Sequence, residues 1–387
     1  MKKLSFTAFD CCTCKVEKLI DKLARKHAMI PRRYLAIGGI IVVIATITAV
    51  ATTQNISLKN FGVPSSIENN QGSLVQEAKK LQVALVTDGL WLDGGWGTAA
   101  FNAGKHLESQ GYKVAYAENV KVDDMETALR KYSNDGYGLI IAYSFKWNDP
   151  VATVAKEFPK TKFVVFTGLV NDDNVASIFP MQQEGTFLLG ALAAMMSKTG
   201  VIGYVGGDQY PNLINLFEGY KQGARVINPD IKIVGMYLGG EWNNPAKGKE
   251  VAITLIDKNA DVILQVADTS GNGVIRAAQE REIFALGAVA DQNRLSPDTV
   301  LSSFVLDVDK AFDFSAKMVV EDQFKGEIFK PGIEAGKGDL GDGIVYLASF
   351  HDLGSKVPAD VKARLQQLTH DVMDKKITVP ERYEATP

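Results

Sequence analysis

Short apolar runs alternate with segments of helical periodicity from residue 83 to residue 289. A short apolar run bounded by turn residues predicts a buried strand, and apolar residues spaced by three and four predict a helix. The predicted strands are 83–88, 113–118, 138–143, 162–167, 201–206, 232–238, 262–267 and 283–289. The predicted helices lie at about 97–110, 122–133, 149–158, 183–198, 211–227, 245–258 and 273–281. Such alternation is typical of an α/β protein whose parallel sheets are covered by helices on both faces.

Two further apolar runs help to decide between one closed barrel and two open sheets. Residues 175–180 form an extra strand with no helix of its own after it, as expected where the chain crosses from one sheet to another. Residues 301–306 form a second extra strand, and a helix predicted at about 310–324 could return to the first sheet. We therefore expect two hinged lobes that enclose a ligand in the cleft between them.

The first strand and the turn after it contain the first candidate binding residues. Val83–Asp88 is followed by a Gly-rich turn and by a helix that begins near Trp96. Ligands of open α/β sheets bind beyond the carboxyl ends of the strands, so Asp88, Asp93 and Trp96 should face one crevice. An acid beside an indole indicates a polar, aromatic small molecule. Asp88 is equally well explained as a helix N-cap or a turn residue. A core tryptophan is the alternative for Trp96, but a packed core is not expected after two glycines at the mouth of the crevice.

An uncharged segment near the start of the chain predicts membrane attachment. No charged residue occurs from Tyr34 to Leu58, which predicts a transmembrane anchor at 34–52. A cleaved signal peptide is the alternative, because Ala49–Ala51 suits signal peptidase. Since basic residues precede the anchor, residues 1–33 should be a short cytoplasmic segment of a single-pass protein of the cell membrane, with the binding domain extracytoplasmic. Residues 53–80, rich in Asn, Ser, Gln and Gly, are predicted to be a linker.

Charge and cysteine content exclude several classes of protein. Residues 1–33 carry nine Lys and Arg against three Asp and Glu, which leaves 33 basic and 42 acidic side chains, a net charge of −9, on the rest. An acidic main body disfavours nucleic-acid binding. All three cysteines (Cys11, Cys12 and Cys14) precede the apolar segment, so no disulfide stabilises the exported part. Solvated thiols explain this cluster better than a zinc site, which would need a second pair of ligands.

The exported part lacks the residue patterns of common hydrolases. Its histidines (His106, His351 and His370) are widely spaced, and it contains no His-Glu-x-x-His, no Gly-x-Ser-x-Gly and no cysteine. We therefore predict no enzymatic activity, no metal site and no cofactor.

Several segments resemble one known family in both their order and their spacing. They are Asp93–Thr98, Gln183–Gly190, Gly203–Gly207 with Phe217–Gly219, Trp242–Lys249, and Ala260–Ile263 leading to Asp268–Gly273. The family is the basic membrane protein (BMP) family of ABC transporter substrate-binding proteins, whose better-understood members bind purine nucleosides. The resemblance covers the chain from about residue 83 to the C-terminus.

The resemblance implies a two-lobed type I periplasmic-binding-protein fold with two hinged, Rossmann-like parallel sheets. The implied solute-binding domain is 81–387. One lobe would comprise about 81–180 and 306–335, and the other about 181–305 and 336–387.

Carried over position by position, the resemblance implies two aromatic side chains and several polar ones in the cleft. Trp96 and Phe217 would stack on opposite faces of a flat base, one from each lobe. The implied polar residues are Asp93, Asp268, Thr269 and Asp291, in addition to Asp88. Core packing is the alternative for Phe217, which has Leu213, Ile214 and Leu216 nearby.

The sequence departs from the family pattern at three cleft positions. Gly97, Val289 and Leu306 stand where an Asn, an acid and a Lys are common. Loss of a matched polar contact can change ligand choice by orders of magnitude.

The function implied by the resemblance is capture of a small aromatic-ring ligand, a nucleoside first of all, by lobe closure. The chain would then be a membrane-anchored, extracytoplasmic solute-binding protein that delivers this ligand to the permease and ATPase subunits of an ABC importer. Two alternatives stay open. One is a ligand-sensing ectodomain that works with a membrane partner; the other is a nucleoside hydrolase, which would need an acid cluster that binds Ca²⁺ near the strand ends.

Overall fold

The computed structural model describes residues 81–333 and 343–384. These residues belong to one compact unit, Leu74–Pro387. The predicted cytoplasmic segment, the anchor at 34–52 and the linker lie outside the described residues. Within the described part of the chain, no helix combines the length and the apolar character needed to cross a bilayer.

Two six-stranded sheets form the centre of the fold. The first sheet has the order β11-β5-β4-β3-β1-β2 and the second the order β12-β10-β9-β8-β6-β7. Their strands are β1 (Gln82–Val86), β2 (Lys113–Ala117), β3 (Leu139–Tyr143), β4 (Lys162–Phe166), β5 (Val175–Ile178), β6 (Val201–Gly206), β7 (Lys232–Tyr237), β8 (Val262–Val266), β9 (Phe284–Val289), β10 (Val300–Leu306), β11 (Ile328–Phe329) and β12 (Val345–Leu347). Every pairing between neighbouring strands is parallel except that of β12 with β10.

Helices cover both sheets. In the first lobe, which contains the first sheet, they are α1 (Trp96–Ser109), α2 (Met125–Asn134), α3 (Asn148–Val154) and α8 (Val308–Val320). In the second lobe they are α4 (Gln182–Met196), α5 (Pro211–Ile227), α6 (Pro245–Ile256), α7 (Asp268–Glu280) and α9 (Ala359–Met373).

This architecture confirms the predicted two-lobed α/β fold with parallel sheets, and the single closed barrel is excluded. The chain passes from the first sheet to the second after β5. It returns through α8 and β11, and passes again to the second sheet at β12. The strands β11 and β12 and the helix α9 were not predicted.

The apolar runs of the sequence became the buried strands. In β1, Val83–Val86 are at most 1% exposed, and every residue of β3 and of β8 is buried. Complete burial of a Val, Leu or Ile side chain contributes about 1.5–3 kcal/mol relative to exposure. Because helices cover both faces, these strands are continuously apolar rather than alternating.

The Gln183–Gly190 segment lies in the buried helix α4. All its residues from Gln182 to Ala193 are buried. It packs so closely on α5 that a Cβ at Gly190 would lie 2.0 Å from the carbonyl oxygen of Tyr220, and one at Gly223 would lie 1.7 Å from that of Phe187. Its Glu184 accepts a hydrogen bond from the backbone N–H of Ile333, in a segment that joins the lobes.

Candidate functional site

A cleft opens at the carboxyl ends of strands from both lobes, as expected for open α/β sheets. It encloses about 940 Å³ of space between atoms, including open solvent at its mouth. Its lining residues are Asp88, Gly89, Leu90, Asp93, Trp96, Ser144, Phe145, Lys146, Thr167, Gln182, Tyr210, Asn212, Leu213, Trp242, Asn243, Val266, Asp268 and Val289.

Trp96, the first residue of α1, lines the cleft from the first lobe. Its indole packs against Tyr143 at the end of β3, with ring centroids 4.2 Å apart and planes inclined by 32°. Tyr143 in turn stacks on Phe166 at 4.9 Å and 19°. This stack fixes the indole from behind, so that Trp96 presents a rigid aromatic surface to the cleft.

The second lobe presents its own aromatic pair, which the sequence analysis missed. Tyr210 and Trp242 stack with centroids 6.3 Å apart and planes inclined by 15°. The Trp242 ring lies directly over the backbone of Gly207, where a Cβ would be 2.0 Å from the ring. Tyr210 precedes α5 and Trp242 precedes α6, so both rings stand at the cleft edge of the second sheet. Trp242 lies within a family-like segment, but only the structure shows that it lines the cleft.

Asp93 is 5% exposed and already engaged by its own backbone. Its carboxylate accepts hydrogen bonds from the N–H groups of Gly95 at 2.8 Å, Gly97 at 2.7 Å and Thr98 at 3.0 Å. The Thr98 hydroxyl donates a further one at 3.2 Å. Asp93 therefore satisfies the free amides at the start of α1 and holds Trp96 at the cleft.

Asp88, just beyond the end of β1, forms an ion pair with Lys146 at 2.9 Å. Lys146 follows β3 in the first lobe, and its Nζ lies 5.6 Å from the centroid of the Tyr210 ring in the second lobe. Burial lowers the pKa of Lys146, but Asp88 and Tyr210 raise it by more, so its ammonium stays protonated. The ion pair of the first lobe therefore lies next to Tyr210, one of the two stacked aromatic residues of the second lobe.

Asp268, unlike Asp88 and Asp93, has neither a hydrogen-bond donor nor an ion-pair partner for its carboxyl group among the described residues. It is the first residue of α7, and no hydrogen bond from a described residue reaches its carboxyl group. Burial, followed by the charges of Asp93 and Asp88, raises the pKa of Asp268 well above its usual range, and Lys146 only partly offsets this. Asn212 also presents a buried side-chain oxygen without a partner. These two acceptors, both on the second lobe, are free to receive donors from a ligand.

The prediction that Phe217 closes an aromatic sandwich is corrected by the structure. Phe217 does not line the cleft; its ring stacks on Tyr204 of β6 at 4.3 Å and 15°. It rests against Gly235 of β7, where a Cβ would be 2.4 Å from the ring. Phe217 is a packing residue between α5 and the second sheet, which was the alternative interpretation.

Thr269 and Asp291 are also absent from the cleft lining. Asp268 and Thr269 lie in the first turn of α7, whereas a loop was predicted there, with a helix only from 273. The Asp291 carboxylate is 40% exposed and pairs with His351 at 2.7 Å. Its other oxygen accepts the N–H of Asn293, as in a local turn.

The three departures from the family pattern have different consequences. Gly97 is required here, because a Cβ would lie 1.9 Å from the carbonyl oxygen of Leu90. Val289 lines the cleft with a left-handed φ of 68°, which is rare for a β-branched residue. Leu306 is buried at the end of β10 and does not line the cleft.

No group of three or more His, Cys, Asp or Glu able to hold a metal ion occurs within the described ranges. The acid cluster that a calcium-dependent hydrolase needs is therefore not formed by Asp88, Asp93 and Asp268. The cleft offers aromatic faces, acceptors without partners and one paired cation.

Comparison with known proteins identifies the family of the chain. The family described as "ABC transporter substrate-binding protein PnrA-like" matches residues 80–365. The purine-binding protein of Brucella abortus (strain 2308) is 31% identical over 295 residues, which cover 75% of this chain and 80% of that protein. Basic membrane protein A of Borreliella burgdorferi is 27% identical over 331 residues, 82% of this chain and 92% of that protein. A solved ABC transporter solute-binding protein from Aeropyrum pernix K1 has the same fold, with a TM-score of 0.70 and 23% identity over 78% of this chain and 94% of that one.

Proposed function

Because the chain belongs to the PnrA-like family of ABC transporter substrate-binding proteins, we propose that it captures a nucleoside or a closely related base-bearing molecule in the cleft. The observation that carries the proposal is the arrangement of aromatic rings. Trp96 from the first lobe and the stacked pair Tyr210 and Trp242 from the second line the same cleft. A flat heterocycle offers a π-face to both.

The polar groups of the cleft suit the rest of such a molecule. Asp268 and Asn212 provide acceptors without partners, and a nucleoside carries hydroxyl and amino donors. Binding would give both groups a partner, and for the buried Asn212 oxygen this removes the cost of leaving it unpaired. The relative from Brucella abortus is named a purine-binding protein, which supports a purine base as the first ligand to test.

Capture would proceed by closure of the lobes. The site is completed only when residues of both lobes approach each other, so a ligand that contacts both shifts the molecule towards the closed form. We propose that the closed protein delivers the ligand to the permease and ATPase subunits of an ABC importer. We also propose that it acts outside the cytoplasm, held at the cell membrane by the segment 34–52.

Two measurements on the full-length protein test the proposal. Mass spectrometry of small molecules released from the purified protein should find a nucleoside or base. Titration with adenosine, guanosine and inosine, with ribose as the control, should raise the melting temperature for at least one nucleoside without product formation. If no nucleoside stabilises the protein, the nucleoside proposal is wrong, and turnover of a nucleoside would contradict a pure binding function.

A further inference from the structure

The charged groups around the cleft are arranged so that no positive site stays available to an anion. We propose that Asp88 and Asp93 are specificity-determining residues that exclude anionic ligands, phosphorylated ones above all, from the cleft. The inference rests on the proposed function, because it concerns the ligand of the same cleft.

Asp93 occupies the place where an anion would otherwise bind. The N–H groups of Gly95, Gly97 and Thr98 converge at the start of α1, within 3.0 Å of its carboxylate oxygens. Such a Gly-rich helix N-terminus is a ready-made phosphate site in many nucleotide-binding proteins. Here the chain fills it with its own carboxylate, so its donors and its positive potential are already used.

Asp88 acts in the same way on the cation of the cleft. Lys146 is the one Lys, Arg or His among the described residues that line the cleft, and it is bound to Asp88 at 2.9 Å. The Tyr210 ring lies over the other side of its ammonium. A phosphate group that approached Lys146 would have to displace Asp88, which belongs to the chain and cannot leave.

Asp268 adds an uncompensated acid to this arrangement. Three carboxyl groups and one ammonium face the same space, with no further basic side chain among the described lining residues. An anionic ligand would therefore gain no free counter-ion from the described lining residues. A neutral ring with hydroxyl or amino donors needs no counter-ion.

The test uses Asp88→Asn, which keeps the shape of the side chain and releases the charge of Lys146. The wild type should bind a nucleoside at least tenfold more tightly than its 5′-monophosphate, and Asp88→Asn should reduce this ratio about tenfold. The double variant Asp88→Asn/Lys146→Met should restore the discrimination. Asp298→Asn, an exposed acid before β10, removes the same charge outside the cleft and should change nothing.

Inorganic phosphate decides the inference separately from the proposed function. At equal ionic strength, phosphate should raise the melting temperature of Asp88→Asn above that in chloride, but not that of the wild type or the double variant. If no nucleoside binds the wild type, the proposed function fails, and the phosphate comparison still stands. Phosphate stabilisation of the wild type equal to that of Asp88→Asn, or equal wild-type affinity for the nucleoside and its monophosphate, would overturn charge exclusion.

Discussion

Asp268 lies in a setting that folding alone disfavours. Its φ of 46° is left-handed, and its carboxyl group is partly buried near Asp93 and Asp88 without a hydrogen-bond donor among the described residues. A non-glycine residue in such a conformation costs about 1–3 kcal/mol. Thr167 and Val289, which also line the cleft, share positive φ values of 62° and 68°. The strain is thus shared by three strand ends that face the cleft, as is usual where a ligand is bound.

Asp268→Asn should stabilise the unliganded protein at neutral pH. Burial raises the pKa of Asp268 in the folded protein, with Asp93 and Asp88 adding to the effect. The folded state therefore binds this proton more tightly than the unfolded state does. The contribution of the bound proton to stability is complete below the pKa of the unfolded state, about 3.9, and is lost as the pH rises through the pKa of the folded state. The gain of Asp268→Asn in chemical denaturation should be clear at pH 7 and vanish near pH 3.

The same Asp268→Asn variant should bind its nucleoside more weakly, because an amide is a poorer acceptor than a carboxylate. The exposed Asp298→Asn should show neither effect. A stability of Asp268→Asn that does not differ from the wild type at pH 7 would mean that this carboxyl is not destabilised in the fold.

Trp96 and Phe217 should separate binding from stability. Trp96→Leu should weaken nucleoside binding by about 1–3 kcal/mol, the usual contribution of a base stacked on an aromatic side chain. Phe217→Leu should leave the affinity unchanged and lower the free energy of unfolding by about 1–2 kcal/mol, because the Tyr204 stack is lost. Calorimetric titration and urea unfolding of both variants test this. A large loss of affinity in Phe217→Leu would restore Phe217 as a ligand contact.

The strands were predictable because burial on both faces leaves continuous apolar runs in the sequence. The run predicted at 201–206 is β6, and that at 232–238 is β7 with one extra residue. The strands β11 and β12 have only two and three residues, too few to give a period. The start of α7 at Asp268 was missed because its first turn, rich in Gly, Ser and Asn, has the composition of a loop.

The site was less predictable than the fold, for reasons of side-chain direction and closure. Family likeness gave the position of Phe217 but not the face of α5 on which it lies. Lys146 follows a strand end, which was a usable signal, but its contact with Tyr210 exists only once the lobes meet. Asp93 was predicted in the cleft, and only its hydrogen bonds reveal that it is already satisfied.

The start of α1 should not tolerate any side chain at residue 97. In Gly97→Ala, the Cβ would lie 1.9 Å from a backbone oxygen of Leu90, which cannot rotate away as a side chain could. We expect a loss of about 2 kcal/mol or more in the free energy of unfolding. Gly89→Ala, in the same turn, meets its nearest neighbour, the Thr87 hydroxyl, at 3.7 Å and should cost far less. If Gly97→Ala and Gly89→Ala were equally stable in urea unfolding, the turn would be able to shift and make room for the Cβ at little cost.

Side-chain contacts across the cleft join the described parts of the two lobes. The Gln292 side chain of the second lobe donates to the carbonyl oxygen of Gly94 in the first at 3.4 Å, a long hydrogen bond. The Lys146 ammonium of the first lobe lies over the Tyr210 ring of the second. A ligand that contacts both lobes would add to these contacts and favour the closed form.

Residues 381–383, near the C-terminus, contact the segments that connect the lobes. Buried Asn215 of α5 donates to the Gln183 side chain at 3.1 Å and accepts the backbone N–H of Arg382 at 2.7 Å. Farther along, Tyr383 packs edge-on against Phe179, just after β5, and Glu381 pairs with Lys330, just after β11. The tail of the second lobe is thereby attached to two of the segments on which the lobes hinge.

Asn215→Ala should therefore loosen the hinge as well as lower stability. It leaves the Gln183 oxygen and the Arg382 N–H without partners, at a cost of about 1–3 kcal/mol for each group that stays buried. Hydrogen exchange should become faster in 379–384 and in the segments after β5 and β11, while β8 and β9 keep their protection. Lys376→Ala, at an exposed ion pair, is the matched control and should change neither. If exchange in Asn215→Ala rises uniformly over the second lobe, the tail contributes to general stability and does not fasten the hinge.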